Sequence, residues 1–112
     1  MRDIIDNGRD IFSDIKGVTE QEFISSNLLR DAILYRLLRI SEAAKKLGEN
    51  AEALIPGQPW PQIRAFGNAL RHDYDAIRYE EVWTILIRDL PNLVAACEKA
   101  LEGRTDGVES DF

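Results

Sequence analysis

The chain has 112 residues, 45% of them hydrophobic and 30% charged, a balance that excludes a disordered or membrane-embedded segment and predicts one folded domain. Its net charge of −6, from 14 basic and 20 acidic side chains, excludes a protein that binds nucleic acid over its whole surface, because phosphate recognition rests on clustered Lys and Arg. The lone Cys97 excludes an intrachain disulfide, no run nears the roughly 18 apolar residues that span a bilayer, and the charged opening MRDIIDNGRD is unlike a signal peptide, so a cytoplasmic location without membrane contact is expected.

Apolar residues recur at helical spacing, and no stretch sustains the period-two alternation of a half-buried strand, so the expected fold class is all-α. Ile4, Ile5, Ile11, Phe12 and Ile15 form the stripe of a first helix that Gly17 ends. Thr19-Glu20-Gln21-Glu22 reads as the capping box of a short second helix, and Ser25 to Asn27 offers a break or a new cap. A long central helix is expected from Leu28 to Leu47, with Leu28, Ala32, Tyr35, Leu38 and Ala43 among its apolar positions and Gly48 closing it. Residues 49–59 hold Pro56, Gly57 and Pro59 and read as a connection.

Trp60-Pro61 opens the next helix, which turns Ile63, Phe66 and Leu70 inward and ends near Tyr74 to Ala76. A final helix spans Tyr79 to Leu101, with a kink expected at Pro91, and Trp60 and Trp83 are expected to hold the histidine-bearing helix against it. The domain is bounded at 1–102, and 103–112 reads as a polar, frayed tail. A core this small leaves little margin, so a homodimer is expected.

Chemistry concentrates between Pro59 and Tyr74. His72 is the only histidine, and Arg64, Asn68, Arg71, His72 and Asp75 fall on adjoining parts of one helical surface. A histidine side chain moves protons near neutral pH, and guanidinium groups grip phosphate oxygens, which is the equipment for cleaving a phosphodiester. A solvated helix face would read the same way. The same holds for the basic side chains Arg36, Arg39, Lys45 and Lys46 and for the carboxylates Glu42, Glu49 and Glu52. One Cys and one His cannot form a His/Cys zinc site, and there is neither a Gly-rich phosphate loop nor a serine elbow, so no metal site or cofactor is expected.

Several separated segments carry a family likeness. Trp60-Pro61-Gln62-Ile63-Arg64, Gly67 through Tyr74, Val82-Trp83, Asp89-Leu90-Pro91-Asn92-Leu93 and the upstream Leu38 to Ala44 together resemble the HepT-like branch of the HEPN superfamily over residues 1–101. The resemblance implies a HEPN-type bundle of about four to five helices, a two-fold homodimer with its site at the cleft between subunits, and metal-independent cleavage of RNA. His72 and Tyr74 match the His-x-Tyr part of the family motif. The motif arginine, with four residues between it and the histidine, falls at Gly67, with Arg64 and Arg71 each about one turn away. Glu42 and Lys46 match a second family feature, an acidic residue followed four positions on by a basic one.

By resemblance the chain is a ribonuclease toxin whose antitoxin is a small nucleotidyltransferase, with catalytic roles for His72, Arg71 and Arg64, supporting or RNA-binding roles for Asn68, Glu42 and Lys46, and Tyr74 as the residue the partner modifies. The alternative is a catalytically silent HEPN module that keeps the fold and binds the nucleotidyltransferase.

Overall fold

The computed structural model describes residues 1–108, with side chains through residue 103, and every regular element among them is helical. Helices α1 (Arg2–Ile15), α2 (Glu20–Ser25), α3 (Asn27–Leu47), α4 (Glu49–Leu54) and α5 (Trp60–His72) come first, followed by a 3₁₀ turn at Tyr74–Ala76. The last rod is continuous: α6 (Tyr79–Thr84) passes through a π turn (Ile85–Asp89) into α7 (Leu90–Val108). That makes six helical rods, more than the four to five expected, and the addition is α4, inside the supposed connection 49–59. Glu49 and Glu52 occupy its first turn, where carboxylates offset the helix dipole, and Ala51 is buried.

The boundary chemistry follows the sequence closely. Thr19 and Glu22 form the capping box, with the Glu22 amide donating to Thr19 Oγ1 at 3.1 Å and the Thr19 amide donating to Glu22 Oε1 at 2.9 Å. Ser26 Oγ accepts from the Leu29 amide at 3.1 Å and so caps α3. Gly17 and Gly48 take the positive φ values, 76° and 57°, that end α1 and α3. The disturbance expected at Pro91 takes the form of the π turn: the ring has no N–H to donate, and the preceding backbone widens so that the Leu90 amide donates to the Ile85 carbonyl. The last helix runs to Val108, past the boundary at 102. A glycine such as Gly103 costs a helix about 1 kcal/mol relative to alanine, which weakens it without ending it. The remainder of the expected tail, 109–112, lies outside the described residues.

α3 is the central element, packed between α1 and α5, while α7 also lies on α1 and α2 bridges α3 and α6. The core side of α3 is Ile33, Leu34, Leu37, Ile40, Ala43 and Ala44; of the apolar positions named from the sequence, Leu28 is 83% exposed, Tyr35 58%, and only Ala43 is buried. α3 carries apolar residues around most of its circumference, so its pattern fits more than one register until neighbours choose. Arg36 settles the α1 side, bonding Asp10 at 3.0 Å and Asp14 at 3.2 Å. Trp60 is fully buried and its indole N–H donates to the Ile55 carbonyl at 2.9 Å. Trp83 departs from expectation. It is half-buried and packs on Phe23, with ring centroids 5.4 Å apart, so it ties α6 to α2 and not to α5. No helix among the described residues is long and apolar enough to cross a membrane.

Candidate active site on the α3–α5 face

The site is built where α3 and α5 cross. The pairs Asp31–Tyr74, Glu42–Arg71 and Lys45–Asn68 show that the chain returns antiparallel to α3. The crossing is close because Gly67 has no side chain: a Cβ there would stand 1.8 Å from Ser41 Oγ and 2.6 Å from Ser41 Cβ. The space next to Gly67 is therefore filled by Ser41, and no neighbouring arginine reaches into it. Buried Ser41 also donates from its hydroxyl to the Arg64 carbonyl at 3.5 Å.

Beside the crossing lies a line of polar side chains. Arg71 Nη2 donates to Glu42 Oε2 at 2.9 Å, its Nη1 to Asn68 Oδ1 at 3.5 Å, and Lys45 Nζ to the same Asn68 oxygen at 3.2 Å. His72, the last residue of α5, is exposed, and no hydrogen bond or ion pair holds its imidazole among the described residues. Lys46, one turn after Glu42 on α3, is exposed as well. The structure thus joins Arg71, Asn68, Glu42 and Lys45 by hydrogen bonds, with His72 one helical turn after Asn68 and Lys46 one turn after Glu42, both exposed.

Arg64 does not join that group. Its guanidinium turns toward the C-terminal end of α3, donating to the Gly48 carbonyl at 2.7 Å and the Ala44 carbonyl at 3.5 Å, and grips Glu52 at 2.7 and 3.1 Å. It is a second donor to both oxygens, since the Ala44 carbonyl also accepts from the Gly48 amide at 3.2 Å and the Gly48 carbonyl from the Ala51 amide at 3.0 Å, and the fork geometry fits the carboxylate. The Arg64 hydrogen bonds hold the Glu52 carboxyl below its usual range, and Glu52 in turn raises Arg64. The acidic trio of the sequence is divided accordingly: Glu42 serves Arg71 and Glu52 serves Arg64. Among the described residues, no group of three or more His, Cys, Asp or Glu side chains is placed to hold a metal ion.

Tyr74 follows α5 and is 45% exposed, its phenol donating to Asp31 Oδ1 at 3.2 Å. The neighbouring Tyr79 phenol, partial burial and the Asp31 carboxylate push Tyr74 up to about 12. Sequence reasoning missed Asp31. Its signal was the spacing of Asp31, Tyr35, Leu38 and Glu42, which rise in steps of three and four along one side of α3. An exposed imidazole that follows Arg71 directly in the chain, at the end of a face that also carries Lys45, suits proton transfer next to a phosphate.

With this geometry in place, comparison with known proteins finds a match to the family model described as Ribonuclease HepT-like over residues 4–100. The chain belongs to the HepT-like ribonuclease family. It is similar to a candidate RNase of Methanocaldococcus jannaschii, at 31% identity over 100 residues that cover 89% of this chain and 83% of the relative. A second candidate RNase of that organism is 29% identical over 81% of this chain and 84% of its own length. One from Caldanaerobacter subterraneus subsp. tengcongensis is 25% identical over 79% of both. No solved structure matches the chain.

Proposed function

We propose that this chain is an RNA endonuclease that works without a metal ion, and that it is the toxin half of a pair whose antitoxin is a small nucleotidyltransferase. The observation that carries the reading is the exposed, unheld imidazole of His72 at the end of α5, next to the Arg71 guanidinium. In the proposed step a substrate 2′-hydroxyl gives its proton to an imidazole while its oxygen attacks the adjacent phosphorus. The P–O5′ bond breaks, the leaving oxygen takes a proton from an imidazolium, and the products are a 2′,3′-cyclic phosphate and a 5′-hydroxyl end. Arg71 stabilises the charge that gathers on the phosphoryl oxygens, with Asn68, Glu42 and Lys46 orienting it and holding the RNA backbone.

One imidazole cannot act as base and acid in the same step, so the reading calls for a two-fold homodimer that brings two copies of His72 together. The exposed side of α5 supports this, because Pro61, Ala65 and Asn68 are small enough to let a second copy approach. Tyr74 is the proposed point of control. Transfer of AMP would join its phenol oxygen to the α-phosphorus of ATP and release pyrophosphate, the phenol proton passing to Asp31, which already accepts it. The new phosphodiester would place negative charge beside Arg71, where the RNA phosphate must bind.

The test is incubation of the purified chain with mixed RNA in EDTA beside His72→Ala. Loss of about 10²-fold or more in rate is expected for the variant. Equal cleavage by both proteins, or none by the native chain, overturns the reading. One observation favours the silent interaction module instead: the motif arginine position is Gly67, sealed by Ser41. Growth arrest on expressing this chain alone supports only the nuclease.

A further inference from the structure

We propose that the recess between Tyr35 and Tyr74 holds one unpaired nucleobase of a single-stranded RNA, so that the adjoining phosphodiester lies at His72; the proposal rests on the nuclease reading of the same face. Both tyrosines are more exposed than core packing would leave them, 58% and 45%, and both line an open recess of about 340 Å³. Its apolar lining is Leu34, Leu38 and Leu70, and Asp31 stands at its edge. No contact between the two tyrosine rings is present among the described residues, and both rings border the recess. The size falls in the range of about 300–1,000 Å³ typical of ligand pockets.

The chemistry around the recess favours a base over any other flat ligand. Arg39 donates to the Tyr35 hydroxyl at 3.3 Å and its guanidinium lies 5.9 Å from that ring's centroid, which sets a cation beside the aromatic wall. Lys46 and Arg71 carry the same positive sign along the face toward His72, suiting a backbone that runs past it. Asp31 spends Oδ1 on Tyr74 and leaves Oδ2 without a hydrogen bond among the described residues. A carboxylate oxygen accepts only, so it selects bases that present N–H donors, guanine above all, and disfavours uracil with its two carbonyl acceptors. Tyr74 is two residues from His72, so a base stacked on it fixes the register of the phosphate to be cut.

The experiment uses the full chain and fluorescein-labelled 2′-O-methyl RNA hexamers, uracil throughout except for one central base, which bind but lack the nucleophilic hydroxyl. Anisotropy is expected to rank the central base with guanine tightest. Tyr35→Ala should weaken binding of the guanine hexamer by about ten- to a hundredfold, the range of one lost aromatic stack, while Tyr35→Phe keeps most of it. Asp31→Asn should shrink the guanine-over-uracil ratio. Tyr35 is exposed, so its variants fold, and thermal melting checks this. Unchanged affinity in Tyr35→Ala overturns the proposal even if the native chain cuts RNA, and a hexamer that binds neither protein does the same. Loss of binding in Tyr35→Ala by a chain that cleaves nothing sinks the nuclease reading and leaves the base site standing. A changed oligomeric state with unchanged hexamer affinity assigns the tyrosines to a protein contact and overturns it.

Discussion

Adding one methyl group at Gly67 should drive α3 and α5 apart. The new Cβ would meet Ser41 Cβ at 2.6 Å and Ser41 Oγ at 1.8 Å, against 3.4–4 Å for ordinary contact. Rotating the Ser41 hydroxyl removes the second clash but not the first, so backbone must move. Two effects oppose each other in Gly67→Ala. Helix propensity gains about 1 kcal/mol, while overpacking a close crossing costs about 1–3 kcal/mol. Withdrawal of α5 also uncovers Leu70, so the net is a destabilisation of about 1–2 kcal/mol. For a domain of this size that is a fall of about 5–15 °C in Tm. Urea titration of the native chain, Gly67→Ala, Ser41→Gly and the double variant measures it. The double variant should recover at least about 1 kcal/mol over the sum of the singles, because removing Ser41 Cβ makes room. Gly67→Ala that is neutral or more stable, or strict additivity, would refute the close-approach argument. Gly67→Arg, which restores the family's motif residue, is expected to unfold the crossing and not to raise activity.

The two arginines should separate by phenotype. Arg64→Ala is expected to lower Tm through the lost bonds to the Gly48 carbonyl and Glu52 at the α3–α4 junction, while the RNA cleavage rate of the folded fraction stays close to native. Arg71→Ala should lower that rate by about 10²-fold with little change in Tm, and the reverse pattern would exchange their roles. Ultraviolet titration at 295 nm should find one tyrosine, lost in Tyr74→Phe, ionising near 12. Since the folded value is raised above the ordinary 10.0, its share of stability is complete below pH 10 and is lost as pH climbs toward 12. Burial pushes the Cys97 thiol up to about 11, so it should react with a disulfide reagent at neutral pH only as fast as the fold opens. Rapid labelling of folded protein would contradict its place in the core.

Local chemistry was legible in the sequence wherever neighbours along the chain settle it. The capping box at Thr19, the glycine stops at Gly17 and Gly48, and Pro61 at the start of α5 each act within one helical turn, and each stands where the sequence places it. The all-α class follows from periodicity, and the family from spaced signatures spread over most of the chain. A short helix such as α4 escaped because Pro56, Gly57 and Pro59 beside it dominate the reading of that segment. The register of α3 lay beyond sequence reasoning. With apolar residues on most of its sides, which of them enter the core depends on where α1 and α5 lie, a property of chain segments far apart in sequence.

The candidate site divides along the same line. The chain by itself grouped Arg64, Asn68, Arg71, His72 and Asp75 as one polar surface, because spacing on a helix dictates which residues adjoin, whereas Tyr74 came from the family motif and Asp75 falls in the 3₁₀ turn beyond the end of α5. Only the tertiary structure separated Arg64 from Arg71. One turn in either direction from Gly67 looks equivalent on a helical wheel, but Arg64 meets the carbonyl end of α3 and Glu52, whereas Arg71 meets Glu42 on the open face beside His72. The same crossing turned Gly67 from a missing arginine into a packing requirement, and it brought Asp31 and Tyr35 to the edge of the site from a helix whose sequence names no chemistry there. Side-chain reach along one helix is set by local geometry, whereas the partner each side chain finds is set by the packing of two helices distant in the chain.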